Sequence, residues 1–193
     1  LRLGVLGSGK GSNYRAIAEA IDRGEVNATV RVVISDVETA GILALARARG
    51  TPAVHVAPGP FRTRMSPKAE SELVALLRNA DVELVVLAGY MRMIKEPLLA
   101  AFPHRIINIH PSLLPAYPGL EAWRQALVAG AKSTGCTVHY VDSGMDTGPV
   151  IARVEVPVET GDSAESLHAR IQEAEHRVYP AVIAQLAGEI RGR

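Results

Sequence analysis

Three side chains in this sequence have the types and placement for acyl and proton chemistry: Asn108, His110 and Asp146. The first two lie in Arg105–Gly119, which reads Arg-Ile-Ile-Asn-Ile-His-Pro-Ser-Leu-Leu-Pro-Ala-Tyr-Pro-Gly. Ile106, Ile107 and Ile109 are β-branched and nothing before Pro111 breaks the pattern, so the stretch opens as a strand. Side chains alternate across a strand, which puts Asn108 and His110 on one face. Pro111 cannot donate to a ladder and ends the strand, and Pro115 and Pro118 stiffen the loop beyond it. Both polar side chains therefore sit at a strand's carboxyl end, the edge where open α/β sheets bind ligands. In an arbitrary sequence an Asn and a His there would cap local backbone. An isolated Asp such as Asp146, between Gly144 and Gly148, would bond within its own turn. As a set, the three supply an amide donor for an oxyanion, a titratable imidazole, and a carboxylate to orient it or move a proton. That set suits acyl transfer to an amine without a covalent enzyme intermediate. No Ser or Cys stands in a G-x-S-x-G setting, and Ser112 follows a proline in a loop. His110, His139 and Asp146 lack the spacing of a metal site, and no metal is expected.

A second stretch suits an anion. Leu1–Leu6 is a short apolar run, followed by Gly7-Ser-Gly-Lys-Gly-Ser-Asn13 and then by Tyr14, Ile17, Ala20 and Ile21 at helical spacing. Strand, glycine turn and helix together present backbone N–H groups and a positive helix end to a phosphate. Gly4-x-x-x-x-Gly9-Lys10 approaches a P-loop, but Gly11 replaces the magnesium-binding hydroxyl. Gly7-x-Gly9 lacks the third glycine of a dinucleotide turn, although Asp36 after the second strand leaves an adenosine-ribose contact open. A single-phosphate cradle at Gly11, Ser12 and Asn13 fits better than either, with a merely tight strand–helix turn as its competitor.

A third stretch, Ala88–Ile94, follows the most apolar strand, Val82–Leu87. Tyr90, Met91, Met93 and Ile94 suit the core, or a slot for a flat aromatic ligand with Arg92 at a polar edge. Gln172, Glu175 and His176 read as solvated helix face, Trp123 as packing, and Cys136 in an apolar strand as a buried inert thiol.

Several elements must position these groups. Strands are expected at Leu1–Leu6, Thr29–Ile34, Pro52–Val56, Val82–Leu87, Arg105–His110, Thr134–Val141 and Val150–Val156. Helices alternate with the first six, a short connection joins the last two, and a final helix follows. Asp162-Ser-Ala-Glu165 resembles a capping box for that helix with Asp162 as cap, and Pro180 is expected to kink or split it. The order is that of an α/β, doubly wound, mostly parallel open sheet with an antiparallel strand near the C-terminal part. The chain is expected to form one domain, 1–193, with a phosphate-binding half 1–103 and a catalytic half 104–193. In such a sheet the three stretches share one edge and line one crevice. The 193 residues are 48% hydrophobic and 21% charged, an ordinary globular composition, and 21 basic against 20 acidic residues leave +1. That charge offers no general attraction to nucleic acid or membrane. One cysteine excludes an internal disulfide framework. With no signal peptide or bilayer-length apolar run, a cytoplasmic protein is expected.

Asn108-Ile-His110-Pro-Ser-Leu-Leu-Pro-Ala-Tyr-Pro-Gly119, with Asp146-x-Gly-Pro-Val150, resembles the folate-dependent formyltransferases across essentially the whole chain. The Gly9–Asn13 turn favours the branch acting on glycinamide ribonucleotide (GAR). The resemblance implies a Rossmann-like fold and transfer of a formyl group from 10-formyltetrahydrofolate to the glycyl amine of GAR in de novo purine biosynthesis. The route it implies is direct acyl transfer through a tetrahedral intermediate. It makes Asn108, His110 and Asp146 catalytic. It assigns Gly11, Ser12, Asn13, Gln172 and Glu175 to the ribonucleotide, and Arg64, Arg92, Met93, Ile94, Asn108 and Met145 to folate. It also implies a cis bond at Leu114-Pro115. The partners expected are these small molecules alone, in a monomer or homodimer. The alternatives are formyltetrahydrofolate hydrolase, which carries an extra N-terminal domain, and another folate-dependent formyltransferase such as the methionyl-tRNA enzyme, whose added domain 193 residues cannot hold.

Overall fold

A computed structural model describes residues 1–192. The elements are β1 (Arg2–Leu6), α1 (Ser12–Asp22), β2 (Thr29–Ser35), α2 (Gly41–Ala48), β3 (Ala53–His55), α3 (Pro67–Asn79), β4 (Leu84–Leu87), α4 (Glu96–Ala101), β5 (Ile106–His110), α5 (Ala122–Val128), β6 (Ser133–Tyr140), β7 (Val150–Pro157) and α6 (Ala164–Arg191). The order matches the alternation read from the sequence. The strands form one sheet, β3-β2-β1-β4-β5-β6-β7. Pairing is parallel from β3 through β5, and β6 is antiparallel to both neighbours.

Each face of the sheet is covered by helices, which is why β4 is buried at every residue. On one face Tyr14 and Ile17 of α1, Ile42 and Leu43 of α2, and Leu167, Ile171 and Ile183 of α6 pack with Val5, Val33 and Ile107. On the other, Leu73 and Leu77 of α3 and Leu98 of α4 pack with Leu6, Val85 and Ile106. Tyr179 of α6 is fully buried, and its hydroxyl donates to the carbonyls of Leu87 (2.8 Å) and Ile107 (3.2 Å), pinning the helix across β4 and β5. Trp123 packs as expected, stacked on His168 with ring centroids 3.7 Å apart.

Two local expectations are corrected. The cap of α6 is Ser163, not Asp162. Ser163 Oγ accepts from Ser166 N–H and Ser166 Oγ accepts from Ser163 N–H, so the box closes one residue later than Asp162–Glu165. Asp162 is taken up instead by Ser166 Oγ and a bidentate pair with Arg170. Nor does Pro180 split the last helix, which runs unbroken from Ala164 to Arg191. Pro180 is buried and the helix is held by packing on both sides of it, which outweighs one missing backbone bond. Ser163→Ala should lower stability by about 1 kcal/mol and Tm by about 2–4 °C, with kcat unchanged. Thermal unfolding followed by circular dichroism checks this, and an unmoved Tm would mean the Arg170–Asp162 pair alone fixes the helix start.

Candidate active site

The sequence of strands along the sheet reverses between β1 and β4, and the connections leaving their carboxyl ends diverge there. That divergence opens the crevice in which open α/β sheets bind ligands. β5 lies beside β4, so Asn108 and His110 stand at the same edge. Pro111 ends the strand as expected, and the Leu114-Pro115 bond is cis. Thr137 Oγ1 donates to the Ser112 carbonyl and accepts the Leu114 N–H, tying the proline loop to β6.

His110 Nδ1 lies 3.3 Å from Asp146 Oδ2, with both side chains largely buried. His110 Nε2 donates to the Tyr117 carbonyl at 2.9 Å. A carbonyl and a carboxylate are both acceptors, so a doubly protonated ring satisfies the two together. Asp146 has φ 55°, a left-handed conformation that Asp tolerates. The same Oδ2 accepts the Gly119 N–H at 2.9 Å, joining the β6–β7 connection to the end of the proline loop. Within that connection Asp142 Oδ1 accepts from Gly144 N–H and Thr147 Oγ1. A side chain at Gly148 would run into the Tyr140 carbonyl, which is why the turn is glycine there.

His139 joins this group. β5 and β6 pair in register with Asn108 opposite His139. His139 Nδ1 donates to the Tyr140 carbonyl, so Nε2 is left as an acceptor and takes Asn108 Nδ2–H at 3.3 Å. Burial lowers the pKa of His139, consistent with a neutral ring. One Asn108 N–H is thereby fixed and its second is available to an incoming oxygen. His139 Nε2 is also 3.8 Å from Asp146 Oδ1. Among the described residues no group of three or more His, Cys, Asp and Glu is placed to hold a metal ion.

The glycine turn lies at the same edge of the sheet, at the carboxyl end of β1, with β4 between it and β5. Gly11 is the N-cap of α1 at φ 82°, and a side chain there would meet Ile42 at 2.9 Å. No side chain caps α1 and its first turn carries no acidic residue, which leaves the positive end open to an anion. Asn13 is buried, and its Nδ2 donates to Glu175 Oε2 at 2.9 Å, while its Oδ1 has no hydrogen-bond partner. Glu175 is 5% exposed, not on a solvated face as its helix position suggested. Burial pushes its carboxyl up to about 7, against a smaller opposing effect of the Asn13 bond. Gln172 is half-buried three residues earlier on α6.

Arg92, Met93 and Ile94 leave the carboxyl end of β4. Ile94 is buried, Met93 N–H donates to the Thr63 carbonyl at 2.8 Å, and Met93 bridges to Arg64. Arg64 lies over the Phe61 ring. Met145, on the loop carrying Asp146, is exposed and its sulfur approaches Gly119. Two readings change here. Asp36 is buried and pairs with Arg92 at 2.7 Å, so it is not poised toward a ribose. Arg92 in turn spends Nε and Nη1 on protein partners rather than on an open polar edge. Cys136 is fully buried, as expected, and burial pushes its thiol up to about 12.

A sequence profile for the family described as formyl transferase matches residues 1–183. The chain belongs to this family. The chain is 42% identical over 187 residues to phosphoribosylglycinamide formyltransferase of Bacillus subtilis (strain 168), covering 97% of this chain and 95% of that protein. Against the Escherichia coli (strain K12) protein of the same name the identity is 40% over 183 residues, covering 95% and 85%. The crystal structure of glycinamide ribonucleotide transformylase 1 from Symbiobacterium toebii superposes with a TM-score of 0.93 at 48% identity, covering 98% of this chain and 88% of that one.

In this formyl transferase the structure brings Asn108, His110 and Asp146 together, and places Asn13 against Glu175 across 162 positions of sequence. Sequence reasoning gave His139 no part beyond an unsupported metal site and missed the Tyr117 carbonyl. The signal for His139 was its place on β6, which becomes informative only once the register with β5 is known.

Proposed function

We propose that this formyl transferase moves the formyl group of 10-formyltetrahydrofolate onto the glycyl amine of glycinamide ribonucleotide, giving formyl-GAR in de novo purine biosynthesis. The observation that carries the reading is the convergence of Asn108, His110 and Asp146 at the sheet edge that also carries an uncapped helix end. Near-full-length similarity to proteins named for this reaction supports it.

In this reading Gly11, Ser12 and Asn13 take the phosphate, and Glu175 and Gln172 meet the ribonucleotide. The backbone around Arg92, Met93 and Ile94 reads the pteridine, with Met145 and Arg64 flanking the folate. Residues 1–103 thus supply the phosphate turn and the folate loop, and 104–193 the reacting side chains. The amine lone pair attacks the formyl carbon and the carbonyl electrons move onto oxygen. The free N–H of Asn108 and the charge of His110 stabilise that oxyanion. His110 Nε2–H, now on the Tyr117 carbonyl, is the donor the oxygen takes over. Asp146 keeps the imidazolium charged and helps carry a proton from the attacking amine to N10 of the folate. The oxyanion then collapses, the C–N10 bond breaks, and tetrahydrofolate leaves.

The assay is release of tetrahydrofolate from 10-formyltetrahydrofolate with and without GAR. Turnover is expected only when GAR is present. Release at the same rate in its absence would overturn the reading in favour of a hydrolase.

A further inference from the structure

Asp36 follows β2 at the edge that carries the active site, and its carboxylate is shared among loops. Oδ1 accepts from Ser8 Oγ at 2.5 Å and Oδ2 pairs with Arg92 Nε at 2.7 Å. Ser8 Oγ accepts the Met91 N–H at 2.9 Å, and Ser8 N–H donates to the Gly89 carbonyl at 3.0 Å. Arg92 Nη1 donates to the carbonyls of Phe61 (2.6 Å) and Arg62 (2.8 Å). The connections leaving β1, β2, β3 and β4 are thus knotted at one ion pair, whose side chains are 2% (Asp36) and 16% (Arg92) exposed. An ion pair so buried is weakly screened, and removing one partner strands the other. With Nε and Nη1 held by protein, the Arg92 guanidinium is built to brace rather than to clamp an incoming carboxylate through both of those nitrogens.

We propose that Asp36 is a positioning residue for the folate pocket. Through Ser8 and Arg92 it presets the Met91–Ile94 backbone against the glycine turn, so the pteridine meets donors and acceptors already in place. Loops not held in this way open at low cost, and the ordering is then paid at binding. The proposal deepens the formyl-transfer reading and rests on it. The charge is the active feature. An Asn at this position keeps the size and can still accept from Ser8, but it turns an N–H toward Arg92 Nε–H.

The test is steady-state kinetics of Asp36→Asn beside the wild type. KM for 10-formyltetrahydrofolate should rise about tenfold, while KM for GAR and kcat stay within about threefold. Arg92→Lys should show the same split, and the double variant should be no worse than the weaker single, because both act through one network. If circular dichroism shows Asp36→Asn unfolded, Ser8→Ala, which removes one hydroxyl, should show the same split at smaller size. An unchanged folate KM, an equal loss in all three parameters, or additive effects in the double variant would overturn the proposal. A wild type that lacks GAR-dependent turnover counts against the function reading. A wild type that turns over beside a variant with unchanged folate KM counts against the brace alone.

Discussion

Asp146→Asn should lower kcat by about three orders of magnitude, within the range for loss of a positioned proton-transfer group, and shift Kd for tetrahydrofolate less than about threefold. The expectation rests on how little else the substitution changes. An Asn accepts φ 55° as readily as Asp does, so the turn is not strained. Its carbonyl oxygen can occupy the place of Oδ2, accepting both the Gly119 N–H and the His110 Nδ1–H, and its NH2 then lies on the side of His139 Nε2, an acceptor and so no clash of donors. The loop stays closed and only the negative charge beside His110 disappears. Without it, nothing among the described residues around the ring compensates an imidazolium, and the oxyanion loses its cation. Rapid-quench kinetics separate the chemical step from release. A variant within tenfold of the wild-type rate would make Asp146 a loop anchor and nothing more.

Glu175→Gln should have two opposite effects. KM for GAR should rise roughly tenfold to hundredfold, the cost of taking a charged acceptor from the ribonucleotide. Above neutral pH the free protein should become more stable. The reason is the sign of the shift. The carboxyl titrates at 4.5 in the unfolded chain and at about 7 in the folded one, so the folded state holds the proton more tightly. The stability this contributes is fully present below pH 4.5, falls as the unfolded chain ionises, and is gone once pH passes about 7. At one pKa unit per 1.36 kcal/mol the span is roughly 3 kcal/mol. Gln removes the titration, keeps an oxygen for Asn13 Nδ2–H, and costs the fold little. Tm measured from pH 5 to 8 should therefore fall in the wild type relative to the variant, by roughly 6–12 °C at the upper end. Parallel Tm curves would mean Glu175 is not buried in solution, and an unchanged GAR KM would remove it from the ribonucleotide site.

The proposed substrate contact and the stability cost meet at one side chain. A carboxylate held in an apolar setting beside an unpartnered Asn13 Oδ1 is expensive in the free protein. Both groups gain partners if a ribose and a glycinamide lie against the pair, which is the physical content of assigning them to the ribonucleotide.

The sequence by itself determined the elements and the edge at which the candidate site sits. β-branched runs, glycine stops and prolines act within a few residues, so the alternation of strands and helices, the Asn108–His110 face and the open N-terminus of α1 were legible. The inert Cys136 was legible for the same reason, being one residue in an apolar strand. What local pattern cannot carry is which distant groups meet. Gln172 and Glu175 read as solvated helix face because helical periodicity ranks faces but does not say which one a neighbouring helix covers; α1 covers Glu175. Asp36 read as open because its partner Arg92 lies 56 positions on and its other partner, Ser8, lies 28 positions back, each on a different loop. The cap of α6 moved from Asp162 to Ser163 because Arg170 competes for the Asp162 carboxylate, a choice between two local bonds that only their relative geometry decides. His139 became part of the site through strand register alone. Only the tertiary structure decided that Asp146 stands 3.3 Å from His110, because that distance depends on a turn after β6, the antiparallel pairing of β6 with β5, and a Gly119 N–H at the far end of the proline loop. Periodicity records how each segment is buried; distance between segments is set by packing, and packing is a property of the whole chain.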